Sequence, residues 1–372
     1  KDFMFFVNRR YLCYFDWTSL FIVIFLCLFS LCFVFSTTCK TDSVSMFFKK
    51  QLFGIVTGIL IYFFCSFIDY RTICRTGYWL YIFTLGLLIF TLIKGSVGMG
   101  AQRWINLGFI KFQSSDLAKL FFPMFITYYF LNDHEESEPK PITYSIPLAV
   151  IVFSFLLVVK QPDLGTALIL LISGSLMLWF MGLSTRFFMI SALCFLITAP
   201  ISWTILKPYQ KKRILVFLGE GNRNKERYQI EQSKIAVGSG GIIGKGIGQG
   251  TQNKLSFLPE SRTDFIFSVI CEETGFLGAL LVVILYIILF LQLMRLIITI
   301  SSIYSKLMCF GLLIPIILST MINIGMVLDM LPVVGIPLPF MSYGITHIWT
   351  SFASLGCINS VTCQRYSQDF IL

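Results

Sequence analysis

The chain has 372 residues, 56% of them apolar, and a mean hydropathy of +0.81, which excludes an ordinary soluble domain. Its formal net charge is +10 although only 13% of residues are charged, an excess that suits lipid headgroups or a phosphate-bearing lipid substrate. No nucleic-acid module accompanies the charge, so nucleic acid is excluded as a partner.

Repeated apolar runs of about 20 residues, with no alternating segments of about ten, exclude a transmembrane barrel. They predict an all-α polytopic membrane protein, one integral membrane domain over 1–372. Ten spans are expected, at roughly 17–35, 52–68, 78–93, 117–131, 142–159, 164–181, 187–206, 265–293, 307–328 and 344–362. The first is long enough to anchor and has no small-residue cleavage site behind it, so it is read as a span and not as a cleavable signal. An even count puts both termini on one side, and Arg9, Arg10, Arg71, Arg75, Arg186 and Arg295 favour the cytoplasm for that side. Lys49, Lys50, Lys94, Arg103 and Lys111 fall on the opposite face, where a functional need for cations can override the rule.

Taken in chain order, the first polar feature is Gly98 to Lys119, GMGAQRWINLGFIKFQSSDLAK. Asp116 and Lys119 are spaced to share a helix face. A charge at mid-membrane costs about 2.5–3.5 kcal/mol on insertion scales, but Lys119 lies about one turn in and can snorkel. A plain interfacial pair and a functional charge cluster with Arg103 are both open. The acidic run Asn132 to Lys140 reads as a solvated turn. Lys160 to Thr166, KQPDLGT, is a tight turn in which Asp163 can cap the following helix.

One large extracytoplasmic loop is expected at 207–264, and its apolar positions Ile214, Leu215, Phe217, Ile230 and Ile235 suggest short amphipathic helices along the membrane surface. Its glycine-rich run, Gly238 to Gly250, fails the phosphate-loop pattern at Ser239 and Gly246. The glycines suit positive φ or close backbone approach, with amides exposed toward an anion. Asp264 stands where the loop becomes an apolar helix, after Arg262 and Thr263 and before Glu272 and Glu273. Two roles are open to it: a helix-start residue, or the reactive acid of a site at the lipid surface. Leu331 to Gly344, LPVVGIPLPFMSYG, carries three prolines and two glycines in an apolar context. It is expected to be an unwound dip beside a site, because irregular backbone at membrane depth persists only when buried or lining a cavity. The eleven cysteines are scattered and never form CxxC, so they read as small buried apolar residues. His134 and His347 are far apart in sequence, which argues against a histidine metal site.

These residues resemble the SEDS family, the shape, elongation, division and sporulation glycosyltransferases of bacterial cell-wall synthesis. The matching segments run in order through nearly the whole chain: GAQRWI with Lys119, QPDLGTAL at 161–168, QSKIAVGSGGIIGKG at 232–246, GTQNKLSFLPESRTDFIF at 250–267 and PVVGIPLPFMSYG at 332–344. Within the family the wording is nearer the elongation branch than the division branch. The resemblance implies ten spans, cytoplasmic termini, a bacterial inner-membrane location and an outward-facing site. It also implies polymerisation of lipid II, the undecaprenyl-diphosphate-linked disaccharide peptide, into glycan strands. The family's catalytic aspartate falls on Asp264, and its other charged positions fall on Arg103, Lys119, Asp116 and Asp163. Two departures stand out: Gln113–Asp116 reads QSSD for the family's QPSE, and Ser342–Thr346 reads SYGIT for SYGGS. Implied partners are a class B penicillin-binding protein, which crosslinks the strands, and other elongation-complex membrane proteins. A divalent cation, Mg²⁺ or Mn²⁺, is an optional helper at the diphosphate. Broken helices and intramembrane charges also mark transporters, so a lipid II flippase is the alternative, and a scaffold for a partner synthase is a third.

Overall fold

The computed structural model describes residues 14–38, 45–98, 101–106, 108, 111–133, 141–205, 211, 215–216, 228–254 and 260–364. Twelve helices occur among them: α1 Trp17–Thr38, α2 Met46–Phe67, α3 Tyr70–Lys94, α4 Ser114–Asp133, α5 Ser145–Lys160, α6 Leu164–Phe180, α7 Thr185–Ile205, α8 Tyr228–Ser239, the short α9 Thr251–Lys254, α10 Ile266–Ile298, α11 Ile303–Val327 and α12 Ile345–Gln364. Every apolar segment expected from the sequence coincides with one of the longer helices. Six of these are long and apolar enough to cross a membrane: α1, α2, α3, α5 with the turn before it, α10 and α11. The chain is a multi-pass membrane protein.

Local chemistry explains several helix starts. Ser45 accepts from Phe48 N–H at 3.2 Å, Asp69 from Arg71 N–H at 3.2 Å and Ser302 from Ser305 N–H at 3.4 Å, each satisfying a donor the helix itself leaves open. Outward faces are apolar, as lipid contact requires: on α10, Leu277, Leu281, Ile284, Ile288 and Leu291 are all exposed.

The helix at the centre of the bundle is the least apolar of the late ones. Every residue of α12 is buried except Trp349, although the helix is rich in Ser and Thr. A helix enclosed by protein need not be greasy, which is why hydropathy alone does not mark it as a span. It packs most extensively on α2, and a Cβ at Gly356 would stand 2.6 Å from the Tyr62 carbonyl. The two backbones touch there because the side chain is absent.

The all-α expectation did not include a small antiparallel sheet between α3 and α4, with strands β1 Ser96–Gly98, β2 Ala101–Asn106 and β3 Lys111–Gln113 in the order β1-β2-β3. Its register pairs Trp104 with Gln113 and Asn106 with Lys111. Strands this short carry too little periodicity to be read from sequence, yet they fix where Arg103 and Gln113 stand. In the 207–264 loop, α8 buries Ile230 and leaves Ile235 48% exposed. Ile214, Phe217, most of the acidic turn and His134 lie outside the described residues.

Candidate active site

Asp264 lies in the turn 260–265 that leads into α10. The helix-start role does not hold for it: the N-cap position is Phe265 and no side chain caps it. Thr263 is occupied elsewhere, its hydroxyl donating to the Glu260 carbonyl at 3.3 Å and to Glu260 Oε2 at 3.1 Å. Three consecutive carbonyls of the turn are held from outside. Tyr343 N–H donates to Arg262 O at 2.9 Å, Ser342 Oγ to Thr263 O at 2.5 Å, and Asn323 Nδ2 to Asp264 O at 2.9 Å. Asn323 is fully buried and also donates to Ile336 O at 2.7 Å, so one amide ties the acid's turn to the segment between α11 and α12.

That segment is non-helical and largely buried, with Ile336, Leu338, Phe340, Met341 and Ser342 all enclosed, as the proline and glycine content led us to expect. At Gly335, where φ is +75°, a Cβ would stand 3.3 Å from Asp264 Oδ2. The carboxylate therefore approaches bare backbone, in a conformation that glycine adopts without strain.

Asp163 is 2% exposed and caps α6, its Oδ1 accepting from Thr166 N–H at 3.3 Å. Its Oδ2 accepts from Gln113 Nε2 at 2.9 Å and Thr166 Oγ1 at 3.0 Å. Arg103 lies over the same turn. Its Nη1 is 4.0 Å from Asp163 Oδ1, its Nε donates to Gln161 O at 3.0 Å, and its Nη2 donates to Pro162 O. The turn meets the segment that carries Gly335, since a Cβ at Gly165 would strike Ile336. The turn before α6 and the Asp264 turn thus meet the same segment at adjacent residues, Ile336 and Gly335.

The interfacial, snorkelling reading of Asp116 and Lys119 is corrected by burial. Lys119 Nζ is 2.7 Å from Asp116 Oδ1, with side chains 8% and 7% exposed. His347 of α12 completes the group, its Nδ1 3.9 Å from the same oxygen. Nothing in the spacing of Asp116 and His347 predicts that contact; the only signal is a histidine inside a buried helix.

The glycine-rich run is answered from within the chain: its amides meet carbonyls of α10 and, at Gly248, the Glu273 carboxylate. Lys245 N–H donates to Glu272 O at 3.0 Å and Gly246 N–H to Glu273 O at 2.9 Å, while Phe276 and Leu277 N–H groups donate to Gly241 and Ile242 carbonyls at 2.9 and 3.1 Å. The helix α10 is broken at Gly275, with φ of 68° and ψ of −164°, and the loop pairs with backbone groups around this break. Glu272, fully buried, accepts at Oε1 from Lys245 Nζ at 2.7 Å, Thr251 N–H at 2.8 Å and Gln252 N–H at 3.2 Å. Glu273 Oε2 accepts from Gly248 N–H at 3.0 Å. The two glutamates are positioning groups for the loop. Among the described residues no three His, Cys, Asp or Glu side chains are grouped to hold a metal ion.

The FtsW/RodA/SpoVE family model, described as a cell cycle protein, matches residues 12–367. The peptidoglycan glycosyltransferase MrdB of Escherichia coli is 36% identical over 319 residues, covering 85% of this chain and 86% of that protein. The stage V sporulation protein E of Bacillus subtilis is 34% identical over 340 residues, covering 88% and 90%. A chain solved in a peptidoglycan synthase complex that coordinates polymerization and crosslinking superposes with a TM-score of 0.79 at 27% identity, covering 95% of this chain and 98% of that one. Since the family match takes in both the pinned Asp264 turn and the buried segment that holds it, this chain belongs to the FtsW/RodA/SpoVE family, the SEDS proteins.

Proposed function

We propose that the chain is a peptidoglycan glycosyltransferase that polymerises lipid II into glycan strands during cell elongation, with Asp264 as general base. The observation that carries this reading is the immobilised Asp264 turn, its three carbonyls held by Tyr343, Ser342 and Asn323. A base must be aimed before it is useful. In the proposed step the acceptor hydroxyl oxygen attacks the anomeric carbon of the donor sugar as Asp264 takes its proton. The bond to the diphosphate breaks and the diphosphate leaves with the electron pair. A single displacement of this kind inverts the anomeric centre, from an α-linked diphosphate to a β-linked strand. Arg103 and Lys119 lend positive potential toward the diphosphate, and Asp163 and Asp116 fix them in place.

The proposal includes ten spans, cytoplasmic termini in a bacterial inner membrane, and a site opening outward. A class B penicillin-binding protein and further elongation-complex proteins are the proposed partners. Mg²⁺ or Mn²⁺, where it assists, would draw on Asp264 and on substrate phosphates and water.

Purified protein given lipid II in detergent makes long glycan if it is a polymerase; a flippase or a scaffold makes none. A positioned base is worth about 10²–10⁴ in rate, so Asp264→Asn is expected to lose nearly all polymer while melting like the wild type. Full polymerisation by that variant would remove Asp264 from the role.

A further inference from the structure

The two cations assigned to the diphosphate are each matched by an acid. Lys119 is paired with Asp116 at 2.7 Å, and Arg103 faces Asp163 at 4.0 Å while also donating to the Gln161 and Pro162 carbonyls. Each pair is formally neutral, so the pairs alone supply no net charge against a departing diphosphate, where fixed positive charge matters most. Arg262 is placed differently. Its guanidinium carbon lies 3.9 Å from the centre of the Phe47 ring at the start of α2. Phe47 is in turn braced edge-on by Tyr343, with ring centroids 5.5 Å apart at 85°. Among the described residues no carboxylate lies within ion-pair distance of Arg262.

Stacking on an aromatic ring uses the flat face of the guanidinium and leaves its N–H rim able to donate, in the fork geometry that matches phosphate oxygens. The side chain is partly exposed and its carbonyl is fixed by Tyr343 N–H at 2.9 Å. Arg262 and Asp264 share one pinned turn, and two residues of chain span at most about 7 Å. The turn thus carries both a carboxylate, beside Gly335, and a guanidinium, on Phe47, that has no ion-pair partner among the described residues.

We propose that Arg262, seated on Phe47, is a further cation that binds the diphosphate of the lipid-linked substrate directly, beside the paired Arg103 and Lys119, a role that rests on the polymerase reading above. The test uses the full chain in detergent, with undecaprenyl diphosphate as the binding probe and lipid II as the substrate. Arg262→Gln is expected to weaken undecaprenyl diphosphate binding at least about tenfold and to slow polymerisation, with an unchanged melting temperature. Arg262→Lys keeps the charge without the fork, and Phe47→Leu removes the platform; both should fall between. Binding by Arg262→Gln as tight as wild type, from a wild type that polymerises, overturns the assignment and leaves the polymerase reading intact. A wild type that binds the probe through Arg262 but makes no glycan refutes the polymerase reading instead. Should Arg262→Gln fail to fold, wild-type affinity in both Arg262→Lys and Phe47→Leu refutes the proposal.

Discussion

Replacing Lys119 by methionine keeps most of the side-chain stem and removes the charge opposite Asp116, a carboxylate that is 5% exposed. At the observed 2.7 Å and an effective dielectric near 20, the attraction between the two charges is about 6 kcal/mol. Much of that is offset by the hydration both groups lose on burial, and removing one partner of a buried pair typically costs about 3–5 kcal/mol. Two to nearly four decades in the folded-to-unfolded ratio should therefore be lost, about 1.4 kcal/mol being one decade. The remaining neighbour, His347 Nδ1 at 3.9 Å, is itself buried without a hydrogen bond among the described residues, so it offers little rescue. Asp116→Leu combined with Lys119→Met removes both charges and is expected to recover most of the loss. Detergent-solubilised protein, unfolded by heat or SDS and followed by tryptophan fluorescence, reads the difference. A single Lys119→Met variant as stable as wild type, or a double variant as damaged as the single, refutes the reasoning.

Gly335→Ala places a methyl 3.3 Å from Asp264 Oδ2 at a residue with φ of +75°. It should cost about 1–2 kcal/mol of backbone strain and slow polymerisation by about tenfold to a hundredfold through a displaced base; an unchanged rate would separate Gly335 from the site. Asn323→Leu keeps the volume but deletes the hydrogen bonds to Asp264 O and Ile336 O. Leaving buried carbonyls unmet is expected to destabilise the protein by about 2–4 kcal/mol, and a thermal midpoint equal to wild type would contradict that.

Particular elements show where the amino-acid sequence sufficed. The run from Ile266 to Ile298 is legible as a helix because a continuous apolar stretch of that length has one economical way to satisfy its backbone in lipid. Asp163 is legible as a cap because capping is a contact with the next turn, Thr166 N–H at 3.3 Å. The dip at Leu331–Gly344 is legible because proline and glycine act on their own backbone. Asp264 was legible as a candidate acid from its place where a polar loop becomes an apolar helix and from the motif around it; that it does not cap α10 depended on Phe265 taking that position.

Partner choice was a different matter. Sequence order says nothing about Arg103 lying across the Gln161–Asp163 turn, His347 reaching Asp116, or the glycine-rich amides pairing with α10 at its Gly275 break. By itself the sequence determined which stretches are helical and where the backbone must bend, because those preferences are set by neighbours a few residues away. Only the tertiary structure decided which charges are already answered and which, like Arg262 on Phe47, have no ion-pair partner among the described residues, because charge pairing depends on distances between segments that the chain brings together only by packing.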